Sequence, residues 1–174
     1  MNFSVDKSLT FSQAVELMFE KLGHSKIMAL ASSVQDYVMV RNVSCLFYDQ
    51  KIWFKTDKNF RKTQQLFQNP HVALCWSGVQ VEGIAENKGL VVDEPDRKFE
   101  TLYKEYLWGS YNKYSHEDTE IIIEVTPKYV EIWDTSEDNY AYQIFIDFDQ
   151  QSVTVKPYDR KRQLPRHLPQ INRI

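Results

Sequence analysis

The sequence predicts a mainly β domain with a few peripheral helices, its strands closing into an antiparallel barrel. Three observations carry this. Segments rich in β-branched and aromatic residues recur from residue 26 to residue 158, and aromatics make up 14% of the chain, a composition that favours strands. The strand candidates show no regular strand–helix–strand alternation, which argues against a doubly wound parallel sheet. The segment HVALCWS (71–77) is apolar on both faces, with Val72, Leu74 and Trp76 on one and Ala73 and Cys75 on the other. That pattern suits a closed barrel with material packed outside it.

Each element follows in order. TFSQAVELMFEKL (10–22) reads as an amphipathic helix, with Phe11, Val15, Met18 and Leu22 on one face. Thr10 and Gln13 have capping-box spacing, and Gly23 is the expected stop. KIMALASS (26–33) and YVMVRNVSCLFY (37–48) are strands, and Tyr48-Asp49-Gln50-Lys51 turns the chain into KIWFKT (51–56). A short helix begins at Arg61-Lys62 and ends at Asn69-Pro70. VQVEGIAE (79–86) is a strand whose Gly83 marks a bulge or a close approach. EPDRKFETLYKEYLW (94–108) reads as a helix with Pro95 in its first turn and a stripe of Phe99, Leu102, Tyr103 and Tyr106. TEIIIEVT (119–126) and YVEIWDT (129–135) read as two strands broken by Pro127. AYQIFIDF and SVTVKPY form a last hairpin around Asp149-Gln150-Gln151.

Length and composition set the class. At 174 residues the chain is one domain by prior, with 43% hydrophobic and 26% charged residues, ordinary for a globular protein. Residues 1–157 form that domain and 158–174 a basic, proline-containing tail. From Lys156 onward six Lys/Arg stand against one Asp, a local net of +5 that leaves −8 on the remainder. Pro157, Pro165 and Pro169 oppose regular structure there, so this end reads as a solvated arm or one draped on a partner subunit. A net charge of −3 and a short basic tail do not describe a nucleic-acid binder. Cys45 and Cys75 sit in apolar runs and read as small buried hydrophobes. No apolar stretch reaches the roughly 20 residues of a membrane span, and the N-terminus lacks a signal-peptide core, which points to the cytoplasm. His24, His71, His116 and His167 show no metal-binding spacing, so no metal is expected.

The chemistry concentrates at residues 51–83. Arg61 and Lys62 fall where a helix begins, shortly after Thr56. Helix N-termini expose unpaired N–H groups and partial positive charge, so two cations and a hydroxyl there suggest a phosphate clamp. The same pair also fits solvated helix residues. Arg41, inside an apolar strand, needs either an anionic ligand or an acidic side chain as its partner. No Gly-rich phosphate loop is present; the chain has only five glycines.

In order and spacing these residues resemble the flavin-binding split β-barrel proteins of the pyridoxamine 5′-phosphate oxidase-like family, and in particular its small stress-protein-like members. The resemblance is carried by Val40-Arg41-Asn42-Val43, Phe54-Lys55-Thr56, Arg61-Lys62, Leu66, Asn69-Pro70, Val81–Glu86 and the strand around Trp133, and spans about residues 20–148. It implies a split-barrel homodimer with FMN in grooves at the subunit interface. Arg41, Thr56, Arg61 and Lys62 would hold the FMN phosphate, a group that carries close to two charges and wants several charge-assisted donors. Asn42-Val43-Ser44 would lie along the isoalloxazine, Gln80 would contact the ring, and Trp133 would pack against it from the partner. Gln80 also fits a plain cross-strand bond, and Trp133 a core position.

The chain departs from the pattern in places. Phe60 stands where many relatives have Ser, Lys55 replaces an aromatic, and the C-terminal Arg/His/Trp motif of the vitamin B6 oxidases is missing. The resemblance implies an FMN-dependent oxidoreductase acting on a small molecule. The alternatives are a non-catalytic, stress-related flavin binder and a barrel that binds haem or a deazaflavin. No side chain is singled out as catalytic.

Overall fold

The computed structural model describes residues 8–113, 118–136 and 139–161. The first helix, α1 (Phe11–Leu22), has the expected capping box, with Thr10 N–H donating to Gln13 Oε1 at 3.0 Å and Gln13 N–H to Thr10 Oγ1 at 3.3 Å. Gly23 ends it at φ 65°, its N–H donating to the Phe19 carbonyl. The buried face of α1, including Val15, Met18 and Leu22, joins the main core.

Six strands close the barrel: β1 (Ser25–Val34), β2 (Tyr37–Tyr48), β3 (Lys51–Asp57), β4 (His71–Trp76), β5 (Val79–Leu90) and β6 (Glu120–Thr135). All pairings are antiparallel in the order β3-β2-β1-β4-β5-β6, and β3 pairs β6 to complete the ring. Two further strands, β7 (Tyr140–Asp147) and β8 (Ser152–Lys161), extend the sheet from β6. Hairpins β1–β2 and β2–β3 turn on Gln35-Asp36 and Asp49-Gln50, all four at positive φ, the geometry that matches strand twist in two-residue turns. Three more helices, α2 (Arg61–Gln68), α3 (Lys98–Tyr106) and α4 (Trp108–Lys113), lie in the connections. Residues of α3 and α4 cover the outside of β2 and β3 in a second small core of Leu46, Val91, Phe99, Tyr103 and Ile122.

Four sequence readings are corrected. Residues 120–135 form one strand, unbroken by Pro127. On one edge β6 pairs with β3 up to Val125 and with β7 from Tyr129 onward. Pro127, with no N–H to donate, falls in the gap between these partners, opposite Gly83 at a register shift in β5–β6. A Cβ on Gly83 would meet Val125 Cγ1 at 2.6 Å and the Thr126 carbonyl oxygen at 2.8 Å, so this glycine permits the close approach. Helix α3 starts only at Lys98, leaving Pro95 outside it, because Arg97 is left-handed (φ 51°) and the Glu94 carboxylate accepts from Phe99 N–H at 2.9 Å. Pro157 belongs to β8, which among the described residues pairs only with β7 and so tolerates a residue without an N–H. Cys45 is fully buried as expected, whereas Cys75 is exposed, because the outer face of β4 is uncovered. Beyond Lys161 the tail, like His116 and His167, lies outside the described residues.

Among the described residues no helix is long and apolar enough to cross a membrane, and no group of three or more His, Cys, Asp or Glu could hold a metal ion. The β4–β5 turn depends on Gly78, where a Cβ would overlap the Trp133 carbonyl oxygen, a backbone atom that cannot swing aside. Trp133 N–H also donates to the Gly78 carbonyl at 2.8 Å. Gly78→Ala should therefore destabilise the fold by about 1–3 kcal/mol in urea unfolding. Gly109→Ala, with nothing within 4 Å of the added methyl, should not.

Candidate functional site: a cation cluster at the barrel end and an open sheet face

Strand alternation puts Arg41 on the same face of β2 as the buried Val43 and Cys45, so its side chain enters the end of the barrel that α2 closes against β1. There its guanidinium donates to Ser32 Oγ at 2.7 Å, to Gln65 Oε1 at 2.9 Å and to the Leu30 carbonyl at 3.3 Å. Ser32 Oγ in turn donates to Gln65 Oε1 at 2.8 Å. Every one of these partners is neutral. Burial, and then the positive charge of Arg61, hold Arg41 below its ordinary pKa. Lys62 is pushed down by burial and then by Arg41, with a partial offset from Glu120, a residue that itself pairs with Lys55. Among the described residues no carboxylate forms an ion pair with Arg41, Arg61 or Lys62.

Thr56 stands behind this cluster. It is buried, and its hydroxyl lies 3.1 Å from Thr63 Oγ1, which donates to the Asp57 carbonyl at 2.7 Å. Asp57 braces the same turn through its side chain, accepting from Asn59 N–H at 2.7 Å and from the Thr119 hydroxyl at 2.6 Å. These two bonds hold its carboxyl below the usual carboxylate range. The turn delivers the chain into α2, whose N-cap is Phe60 and makes no side-chain cap bond. The first N–H groups of a helix have no intrahelical acceptor, so the start of α2 presents donors beside three cations.

Of the other expected residues, Asn42, Ser44, Gln80 and Trp133 lie on or near the outer face of the sheet. Cross-strand pairing sets Asn42, Ala29, Cys75, Gln80 and Glu131 in one row over β2-β1-β4-β5-β6. Val40, Ala31, Ala73, Glu82 and Tyr129 form the next row. A shallow groove of about 240 Å³ runs between them, with Ala29, Ala31 and Ala73 among its lining residues. Ile27, Val38 and Val40 on this face are 61%, 67% and 66% exposed. Ser44 lies toward α3, hydrogen-bonded to the Tyr103 hydroxyl. Val43 is inside the core, opposite Met28 in the ladder. Trp133, 43% exposed, sits at the edge of the open face and stacks on Tyr158 with ring centroids 5.0 Å apart.

Thus Arg41, Arg61 and Lys62 come together, Thr56 supports their turn, Asn42 and Gln80 share an outer row, and Val43 faces away from that row. Sequence reading missed Ser32, Gln65 and Tyr158. A Ser on a strand, a Gln on a helix and a Tyr on an edge strand carry no local signal, and only the tertiary contact gives them a role.

A family model described as pyridoxamine 5′-phosphate oxidase matches residues 14–134, which include the whole cation cluster. The chain belongs to this family. In solved structures it is similar to PhzG from Burkholderia lata 383 in complex with tetrahydrophenazine-1-carboxylic acid, with a TM-score of 0.56 at 14% identity over 88% of this chain and 94% of that one. General Stress Protein 26 from Bacillus anthracis str. Sterne gives a TM-score of 0.54 at 16% identity over 67% and 91%. A pyridoxamine 5′-phosphate oxidase-related, FMN binding protein from Nostoc punctiforme PCC 73102 gives 0.53 at 14% over 88% and 100%. At such identities these likenesses establish the shared fold. No curated protein matches the chain.

The two thiols should behave oppositely in the isolated family member. Burial pushes the Cys45 thiol far up, whereas Cys75 faces solvent on β4. At low protein concentration one thiol per chain should label quickly, and Cys75→Ser should abolish that fast phase. Labelling of Cys45 should await unfolding.

Proposed function

We propose that the chain is a homodimeric FMN-binding oxidoreductase acting on a small molecule in the cytoplasm. The observation that carries the reading is the convergence of Arg41, Arg61 and Lys62 near the start of α2, with the Arg41 guanidinium bonded only to neutral groups among the described residues. Arg41 is pushed down by burial and by Arg61, and Lys62 by burial and by Arg41; such a cluster calls for an anion, and the terminal phosphate of FMN supplies close to two negative charges. In this reading Arg41 is held ready by Ser32 and Gln65, and Thr56 acts through Thr63 to stiffen the turn that carries Arg61 and Lys62.

Asn42-Val43-Ser44 would run beside the isoalloxazine, offering backbone groups to its polar edge, and Gln80 and a partner subunit's Trp133 would contact the ring. A second copy would cover the open face of the sheet, where Ile27, Val38 and Val40 stand exposed, the kind of patch that marks an interface. The flavin would supply hydride or electron transfer, while the chain binds it, orients it and excludes water. Two free thiols, Cys45 and Cys75, suit a reducing compartment.

The test is direct. Arg61→Ala with Lys62→Ala should weaken FMN binding by at least about 100-fold, since hydrogen bonds to charged groups contribute roughly 1.5–3 kcal/mol each. The double variant should keep its far-UV spectrum and unfolding midpoint, because Arg61 is exposed and Lys62 is only half-buried. Unchanged FMN affinity would refute the phosphate assignment. Sedimentation should show a dimer, and Cys75 labelling should slow as protein concentration brings copies together.

A further inference from the structure

We propose that the groove between α1 and the β2–β3 turn receives residues 162–174 of the same chain, the end of the basic tail. The groove has a volume of about 680 Å³ and an apolar floor, in which Phe11 and Phe19 of α1 meet Phe47 and Tyr48 of β2. Acids stand along its rim: Glu16 and Glu20 on α1 and Asp49 in the turn. Docking there asks nothing of the cation cluster at the barrel end, and it gives a role to a sequence feature that flavin binding leaves unused.

The groove follows from the helical period. Phe11, Val15 and Phe19 fall in one row of α1, and Ser12, Glu16 and Glu20 in the next, one step further round the helix. The first row turns toward the core, with Val15 buried and both phenylalanines partly so, while the second row is exposed. Glu16 and Glu20 stand one turn apart, a like-charge pair that a nearby cation stabilises. No Lys or Arg is among the described residues that line the groove. Asp49 pairs with Lys98, whose ammonium also lies 4.7 Å from the Tyr48 ring centroid, and Lys51 turns away to donate to Thr126 Oγ1 at 2.7 Å. The rim therefore keeps an excess of negative charge beside aromatic rings, a surface that suits an apolar segment bearing cations.

Residues 162–174, RQLPRHLPQINRI, are of that kind. Arg162, Arg166 and Arg173 stand against no acid, and Leu164, Leu168, Ile171 and Ile174 are interspersed with them. Pro165 and Pro169 each bias the leucine before them to extended backbone, the form in which a chain fills a groove at least entropic cost. The geometry allows the reach. β8 ends at Lys161, opposite Tyr140 on β7. Two residues along β7, Tyr142 lies opposite Asp134, the ion-pair partner of Lys21 in the last turn of α1. The tail thus starts near the C-terminal end of α1. Its 13 residues span up to about 43 Å when extended, whereas α1, 12 residues long, measures about 18 Å.

Trypsin cleavage of the full-length chain after Arg166, followed by mass, reads the docking. The cut should be about tenfold slower than in a free peptide of residues 156–174, because cleavage tracks the undocked fraction. Glu16→Lys with Glu20→Lys should abolish this protection with an unchanged far-UV spectrum, and so should Ile171→Asp, which places an acid in the docked segment beyond the cut. Salt at about 1 M should weaken the protection, since charges are then screened within about 3 Å. A tail cut as fast as the free peptide overturns the docking, as does protection that survives both sets of substitutions. Protection lost on dilution places the tail on a second copy, and groove substitutions that speed the cut after Lys7 instead give the groove to the segment before α1; either result also overturns it.

Discussion

The whole molecule depends on one strand serving two partners along the same edge. β6 pairs with β3 through Val125 and with β7 from Tyr129, while β5 runs beside it on the other edge. The first pairing closes the barrel and fixes where Thr56 and Asp57 end, hence where α2 begins. The second carries β7 and β8 outward and sets Glu131 and Trp133 on the open face. At the switch stands Pro127, which donates no ladder bond, opposite Gly83, whose missing side chain permits the close approach there.

With the barrel closed, the electrostatics at its end become intelligible. A guanidinium on an inward-facing strand position would ordinarily be expensive. Ser32 and Gln65 satisfy its donors without neutralising it, so the positive charge is retained for use. The acids that could have quenched the cluster are engaged elsewhere: Glu120 with Lys55, and Asp57 with Asn59 and the Thr119 hydroxyl. A cluster that repels itself and, among the described residues, forms no ion pair is poised for an anion, a property of the arrangement and not of any single residue.

The outer face follows a different logic. The strands alternate as the sequence suggests, but the helix cover of the outer face lies over β2 and β3, and the small residues of β1 and β4 stay open. Cys75 illustrates the consequence. Its apolar neighbours in sequence marked it as a core residue, yet two-faced apolarity in a strand signals that both faces are to be covered without saying by what. Cys45, with the same local signature, faces the barrel interior.

Much of the fold was legible in the sequence, because local physics dictates it. The helix face and capping box of α1, the turn at Asp49-Gln50 and the β-branched runs are all set by near neighbours. The Arg61-Lys62 pair at a helix start was legible for the same reason. Tertiary structure alone decided that Pro127 would not interrupt β6 and that Arg41 would be met by neutral side chains. It also decided which cysteine is inside, and that Thr56 braces a turn. Each of these depends on residues distant in sequence, brought together only when β3 and β6 close the ring.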